Sequence, residues 1–420
     1  MQQLPVSVVV VSRGRPDSLR LCLTGLARLH YRNFEIIVVA DPSGIDAARS
    51  LPFSYDFRLI SYDESNISAA RNIGISAAAG EVVAFIDDDA VPEPTWLNHL
   101  IAPFDDPDVA AAGGFVIGRN GISWQWTARS VGPDGEATAL TVDPVRPTVL
   151  TPPPGRAIKT EGTNMAVRRW VLKKLGGFDE VFRFYLDETD LNMRLAREGY
   201  ATAIVPLAVV HHAYAAGPRR GANRAVKDLS DIGRSSAVFW RKHLPQAARA
   251  SAEAALVAAQ RRRVLQQMRD GLLEPRDVRH ALRSLRAGLE DGRKTPMIPS
   301  AQIVRRPDGF QRFPSLATRP PVNLVGSPIS SAALRAQAAD LAQQGHTVTL
   351  FLLSATALYH HVRFQPEGYW LQTGGIFGRS LRDGAVFQLS TRKKRSEKER
   401  LRVARVRESH LNSERGGAKG

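Results

Sequence analysis

Cys22 is the only cysteine in a chain of 420 residues. That excludes an intrachain disulfide framework and a thiolate metal cluster, and its apolar helical surroundings make it a small core residue. No stretch approaches the roughly 18 uncharged apolar residues of a membrane-spanning helix. The opening Met1-Gln-Gln-Leu-Pro runs straight into a strand pattern without a basic region and hydrophobic leader, so a secreted or membrane-spanning protein is not expected. A G-x-G-x-x-G fingerprint is missing after the first strand, which argues against a dinucleotide dehydrogenase, and there is no P-loop lysine motif. A diphosphate bound here would have to be held by a metal and by side chains, with Arg71 a candidate.

What remains is a chain with 43% apolar and 23% charged residues, enough to bury a sizeable core in two or three units. Its net charge of +16 is unevenly spread: acids are abundant in residues 1–120, whereas Arg and Lys crowd the region after 215 and the last thirty residues. Such a distribution favours a phosphate-rich partner, an anionic membrane surface or nucleic acid, without choosing between them.

The chain is organised around Glu81-Val-Val-Ala-Phe-Ile-Asp-Asp-Asp-Ala-Val-Pro-Glu-Pro. Its short apolar run predicts a strand buried on both faces, and Pro92 and Pro94 are expected to stop it. Asp87, Asp88 and Asp89 then emerge at the carboxyl end of a strand, where open α/β sheets bind ligands. Three adjacent carboxylates repel one another unless a cation or donors meet them, and oxygen ligands at this spacing suit Mg²⁺ or Mn²⁺. Capping of the helix that begins near Trp96 is the plainer alternative.

Around this strand, apolar runs at 6–12, 33–41 and 58–62 alternate with helical patterns at 16–29 and 65–79, and 41–44 reads as a turn. The alternation predicts a mostly parallel sheet whose one pole collects Ser12, Asp41 and Asp87 to Asp89. Later strands are expected at 109–117 and 203–212, with long loops between 118 and 160 that carry Trp124 and Trp126. A second acidic cluster opens a helix over 187–198. There Glu188, Leu191 and Leu195 fall at i, i+3 and i+7, which points Glu188 inward, while Asp190 and Arg194 form an i, i+4 pair.

The run from Val6 to about His212 resembles the family 2 glycosyltransferases, inverting enzymes with a GT-A nucleotide-binding fold. The resemblance rests on Ser12-Arg-Gly-Arg, Asp41-Pro-Ser, Asn66-Ile-Ser-Ala-Ala-Arg-Asn-Ile-Gly and Phe85-Ile-Asp-Asp-Asp. It continues through Gly162-Thr-Asn-Met-Ala-Val, Leu175-Gly-Gly-Phe-Asp-Glu and Asp187-Glu-Thr-Asp-Leu-Asn-Met-Arg, and covers roughly half the chain. It implies that Ser12, Asp41, Arg71 and Asp88 contact the donor nucleotide and that Asp87 and Asp89 hold the metal-diphosphate. A histidine at the end of the core strand, His211 or His212 with His211 put first, would complete the metal shell. Asn164 and Asp190 are placed near the acceptor. Glu188 is the catalytic base with Asp187 in reserve, since relatives commonly have Glu-Asp where this chain has Asp-Glu. Ala40 stands where many relatives carry a further acid.

The sequence thus predicts an α/β protein. A GT-A domain with a mostly parallel central sheet over 1–220 is followed by a basic helical region over 221–295, a Pro-rich linker over 296–321, a small βαβ-like unit over 322–390 and a basic tail over 391–420. The resemblance implies metal-dependent transfer from a nucleotide sugar to a glycan or lipid-linked hydroxyl, in polysaccharide biosynthesis at the cell envelope. The partners expected are that donor and acceptor, and an anionic membrane surface under the basic region, but not nucleic acid. The location expected is cytoplasmic, or peripheral at the inner face of the membrane. A nucleotidyltransferase and a non-catalytic membrane or nucleic-acid binding protein are the alternatives; the latter leaves both acidic clusters unexplained.

Overall fold

The computed structural model describes residues 3–213, 219, 221, 223–297, 303–304 and 309–408. The chain opens as β1 (Val6–Ser12), α1 (Pro16–Leu26), β2 (Phe34–Ala40), α2 (Pro42–Arg49), β3 (Phe57–Ser61), α3 (Ile67–Ala77) and β4 (Val82–Asp87). The segment at 41–44, expected to be only a turn, starts a helix because Asp41 caps it: Asp41 Oδ1 accepts from Gly44 N and Pro42 fits the first helical position. β4 does not simply stop before the prolines. After the break at Asp88 and Asp89 the chain resumes as β5 (Ala90–Pro92), then α4 (Trp96–Ile101) and β6 (Val109–Ile117).

The loops between 118 and 160 hold five short strands: β7 (Trp124–Trp126), β8 (Arg129–Val131), β9 (Ala137–Ala139), β10 (Thr148–Leu150) and β11 (Ala157–Lys159). Then come β12 (Met165–Arg168), α5 (Arg169–Leu175), α6 (Asp187–Arg197) and β13 (Ala201–His212). In the ten-stranded sheet the order is β10-β13-β6-β12-β4-β1-β2-β3, with β5 on β13 and β7 on β6. β3, β2, β1 and β4 are parallel, and β6 and β13 are parallel to each other. β12 runs antiparallel between β4 and β6, so β4 and β6 point the same way and end at one pole.

Strand parity splits the core. Val6, Val8 and Val10 face α1 and α4, while Val9 and Val11 pack with α3, Phe85 and Phe178 on the other side. This two-sided burial is why the strands read as continuous apolar runs.

Beyond 220 the expected helices are α7 (Ser230–His243), α8 (Gln246–Arg269) and α9 (Pro275–Lys294). α7 is a buttress rather than a free basic surface: Phe239 and Trp240 are buried with Phe182 and Leu186, and Lys242 and His243 both reach Asp190 at the start of α6. Part of the expected linker lies as a strap on the first unit. Phe313 is buried against Phe34 and Phe57, and its amide donates to Phe34 O.

The C-terminal unit has more strands than expected. β14 (Arg319–Gly326), α10 (Ser331–Gln343) and β15 (His346–Ser354) are joined by β16 (His361–Phe364) and β17 (Trp370–Gly375) in a sheet ordered β14-β15-β17-β16. The tail forms α11 (Arg392–Arg407), whose inner face is buried. Arg407 is 2% exposed and grips both oxygens of Glu93 at 2.7 and 2.8 Å, so the tail helix is anchored to the first unit. Residues 409–420 of that tail lie outside the described residues.

Candidate functional site

At the carboxyl end of β4, Val11 pairs with Asp87, so Ser12 and the loop after β1 stand beside the acidic run. Asp88 points into the fold with no exposure; Ser12 Oγ donates to its Oδ2 at 2.6 Å. Arg15 closes the cluster, with Nη2 at 2.9 Å from Asp88 and Nη1 at 3.0 Å from Asp89. Burial first, and the neighbouring Asp89 charge after it, push the Asp88 carboxyl up to about 7 in spite of Arg15.

The third edge comes from β13. Pairing of β5 with β13 sets His212 against Ala90 and His211 against Val91. Adjacent strand residues face opposite sides, so only one histidine can reach the aspartates. It is His212, with Nε2 at 3.0 Å from Asp89 Oδ1, Nδ1 at 3.2 Å from Gln125 and its ring stacked on Trp126. His211, put first as a metal ligand by the sequence, instead bonds Glu93 at 2.9 Å on the far side. Asp87, Asp89 and His212 each bring one ligand atom to within 4.8 Å of the others. Two carboxylates and an imidazole drawn from different elements fit a divalent cation.

The second cluster arrives by a tight entry into α6. Tyr185 and Leu186 both have positive φ, 71° and 65°, and turn the chain so that Asp187 and Glu188 lead the helix. Arg71 of α3 lies between the clusters, bonding Asp87 at 3.1 Å through Nη2 and Asp187 through Nη1. Gly162 makes this passage possible, because a Cβ there would lie 2.5 Å from Arg71 Nη2. The two acidic groups therefore converge on one pole. Arg71 itself is 3% exposed and saturated by carboxylates, an internal tie more than a surface offered to a donor.

Glu188 faces a cation that sequence reasoning missed. Lys159 Nζ, from β11, lies 3.0 Å from Glu188 Oε1, 3.0 Å from Thr189 Oγ1 and 3.4 Å from Glu161. Burial alone would raise Glu188, but the Lys159 ammonium and the more distant Arg71 hold it well down, as an ionised acceptor. Burial drives Asp187 the other way, upward, against the opposing pull of Arg71. Nothing local marks Lys159 in the sequence: it is one lysine in a three-residue strand, significant only because β11 packs beside α6.

The remaining candidates do structural work. Asp41 spends its carboxylate on Gly44 N, Gly14 N and Ser43 Oγ, holding the loop after β1 against α2. Asn164 is fully buried, accepting from Trp96 and donating to Phe115 O and Ala208 O. Asp190 is also fully buried; it meets Arg194, as its spacing predicts, together with Lys242 and His243. Neither Asn164 nor Asp190 is presented to an acceptor.

The O-antigen biosynthesis protein RfbC of Myxococcus xanthus is 28% identical over 49% of this chain and 17% of its own length. The pre-mycofactocin glycosyltransferase of Mycobacterium tuberculosis is 29% identical over 49% of this chain and 42% of its own length. The chain thus matches less than half the length of either relative. Among solved structures, the mannosyltransferase PcManGT of Pyrobaculum calidifontis, in complex with GDP-Man and Mn²⁺, is 18% identical, covering 70% of this chain and 88% of that one with a TM-score of 0.42. Asp87, Asp89 and Arg71 fall inside the segment matched by the family profile, and Asp187, Glu188 and His212 beyond it. That segment, residues 7–173, matches the model of glycosyl transferase family 2.

Proposed function

We propose that the chain transfers a sugar from a nucleoside-diphosphate sugar to a hydroxyl of a glycan or lipid-linked acceptor, with inversion at the anomeric carbon. The observation that carries this reading is the convergence of the two acidic clusters through Arg71. A divalent ion held by Asp87, Asp89 and His212 would neutralise charge developing on the leaving diphosphate. Ser12 and Arg15 fix Asp88 and Asp89 beneath that position, and Asp41 shapes the loop over which the nucleotide lies. Glu188 takes the acceptor proton as the hydroxyl forms its bond to the anomeric carbon and the bond to the diphosphate oxygen breaks. A single displacement needs one base on the acceptor side and no covalent sugar–enzyme intermediate.

The test is a panel of UDP-, GDP- and dTDP-sugars incubated with Mn²⁺, scored for release of nucleoside diphosphate and for the anomeric configuration of any product by NMR. Turnover with an inverted anomeric bond is expected. A retained configuration would overturn the single displacement, and failure of every donor to bind or turn over would overturn the proposed activity.

A further inference from the structure

The loop between β17 and α11 exposes an unusual combination of side chains. Leu389 is 86% exposed and Phe387 55%, with Leu381 and Val386 also open; Leu358, 64% exposed, and Tyr359 sit on the adjoining loop. Contacts tie the two loops together. Phe377 stacks on Phe387 at 5.5 Å, Gln388 N donates to Phe377 O, and Phe377 N donates to Thr356 O. Arg379 lies over the Tyr359 ring at 5.4 Å. A contiguous apolar patch on a surface is costly unless something covers it.

Its surroundings say what that cover is. Arg379, Arg382, Arg392, Lys393, Lys394 and Lys398 flank the apolar residues, against Asp383 and Glu397 alone over 376–398. Glu397 is already paired with Arg400. Lys398 bonds Gln388, which brings the outer face of α11 beside the loop. Apolar side chains at a tip with cations around them match an anionic bilayer, where the former enter the headgroup boundary and the latter meet phosphates. The arginines of α8 and α9 have less of this company: Leu265 and Leu272, 39% and 36% exposed, are the exposed large apolar side chains there among the described residues.

The position adds a functional sense. Arg382 N donates to Ile122 O at 3.0 Å, and Val362 N to Asn120 O. Residues 120 and 122 follow β6, which ends at the pole where β4 delivers Asp87. The patch is thus joined to the catalytic pole. We propose that the 376–391 loop, the first turn of α11 and the 356–359 loop dock this chain on anionic lipid, with the donor and acceptor site facing the bilayer. This deepens the glycosyltransferase reading by favouring a lipid-linked acceptor, but the docking itself requires no turnover.

Flotation of the full chain with phosphatidylcholine vesicles, with and without phosphatidylglycerol, tests it directly. Binding is expected only with phosphatidylglycerol and should weaken as salt rises. Phe387→Asp with Leu389→Asp should reduce binding at least about tenfold, as should Arg392→Glu with Lys393→Glu and Lys394→Glu. Both sets should keep the wild-type melting temperature and donor hydrolysis in solution, so a failure of docking is separable from a failure of catalysis. Wild-type protein that stays unbound at low salt, or variants that float like wild type, would overturn the proposal. So would a dimer by light scattering that Phe387→Asp with Leu389→Asp dissociates, since the patch would then belong to a second copy.

Discussion

Arg71 holds Asp87, 16 positions away, with one terminal nitrogen and Asp187, 116 positions away, with the other. The guanidinium is buried against Phe178. Removing it leaves carboxylates in a low-dielectric site without their counter-charge, which typically costs about 3–5 kcal/mol. Arg71→Met should therefore lower the melting temperature and abolish transfer together. Arg71→Lys, a point charge that cannot span both acids, should recover part of the stability and little of the activity. Calorimetry alongside donor turnover checks both; a stable, active Arg71→Met protein would show that the tie is dispensable.

Lys159 sets the proton affinity of the proposed base. Facing Glu188 are Lys159, Arg71, Asp187 and Thr189, with Glu161 behind Lys159. Because Glu188 works ionised and its carboxyl is held down, the acid limb of kcat/KM should lie below the accessible pH range. In Lys159→Met that carboxyl rises, and the limb should move up by a unit or more, a loss of about tenfold in rate below it. Lys159→Arg should restore the profile. A pH profile in Lys159→Met that parallels wild type would detach Lys159 from the base.

His212 and His211 make a paired test of the cation site. Electron paramagnetic resonance of Mn²⁺ should show His212→Ala and Asp89→Asn weakening binding by more than about tenfold, the scale of losing a ligand or its support. His211→Ala, on the other side of the strand, should stay close to wild type. The reverse order would restore the ligand assignment expected from sequence.

Glu93 ties the C-terminal helix to the site's underside. Against the cost of burial, Arg407, and then His211, hold its carboxyl down at about 2. A folded value below the unfolded one contributes stability that is present above about pH 4.3 and is lost as pH falls toward 2, on the order of 3 kcal/mol. Arg407→Met should destabilise the chain at pH 7 and flatten acid unfolding across that window. Adding Glu93→Gln should recover part of the loss, because the unpaired buried charge is gone. Urea titrations from pH 7 down to 3 would measure this; an unchanged pH dependence would mean that the ion pair contributes no linkage.

What the sequence discloses follows the range of the interactions. Val6 to Ser12, Phe34 to Ala40 and Val82 to Asp87 are legible because strands buried on both faces are mostly apolar, Ser7 and Glu35 pairing with each other where they are not, and the acids Asp41 and Asp87 to Asp89 mark the ends of the second and third. The i, i+4 spacing of Asp190 and Arg194 likewise predicts their ion pair. His212 is not separable from His211 without the register of β5 on β13, since one residue of shift exchanges the two faces. Lys159 and Arg407 act on Glu188 and Glu93 across 29 and 314 positions. Their charge suggests solvated surface, and only packing shows them buried.

The most direct test compares wild-type protein with Glu188→Gln and Asp89→Ala in Mn²⁺-dependent transfer from the donor that the panel identifies. Two convergent acidic clusters predict that each variant keeps its fold by circular dichroism yet loses at least about a hundredfold in turnover. A folded Glu188→Gln protein that transfers sugar at close to the wild-type rate would contradict the account.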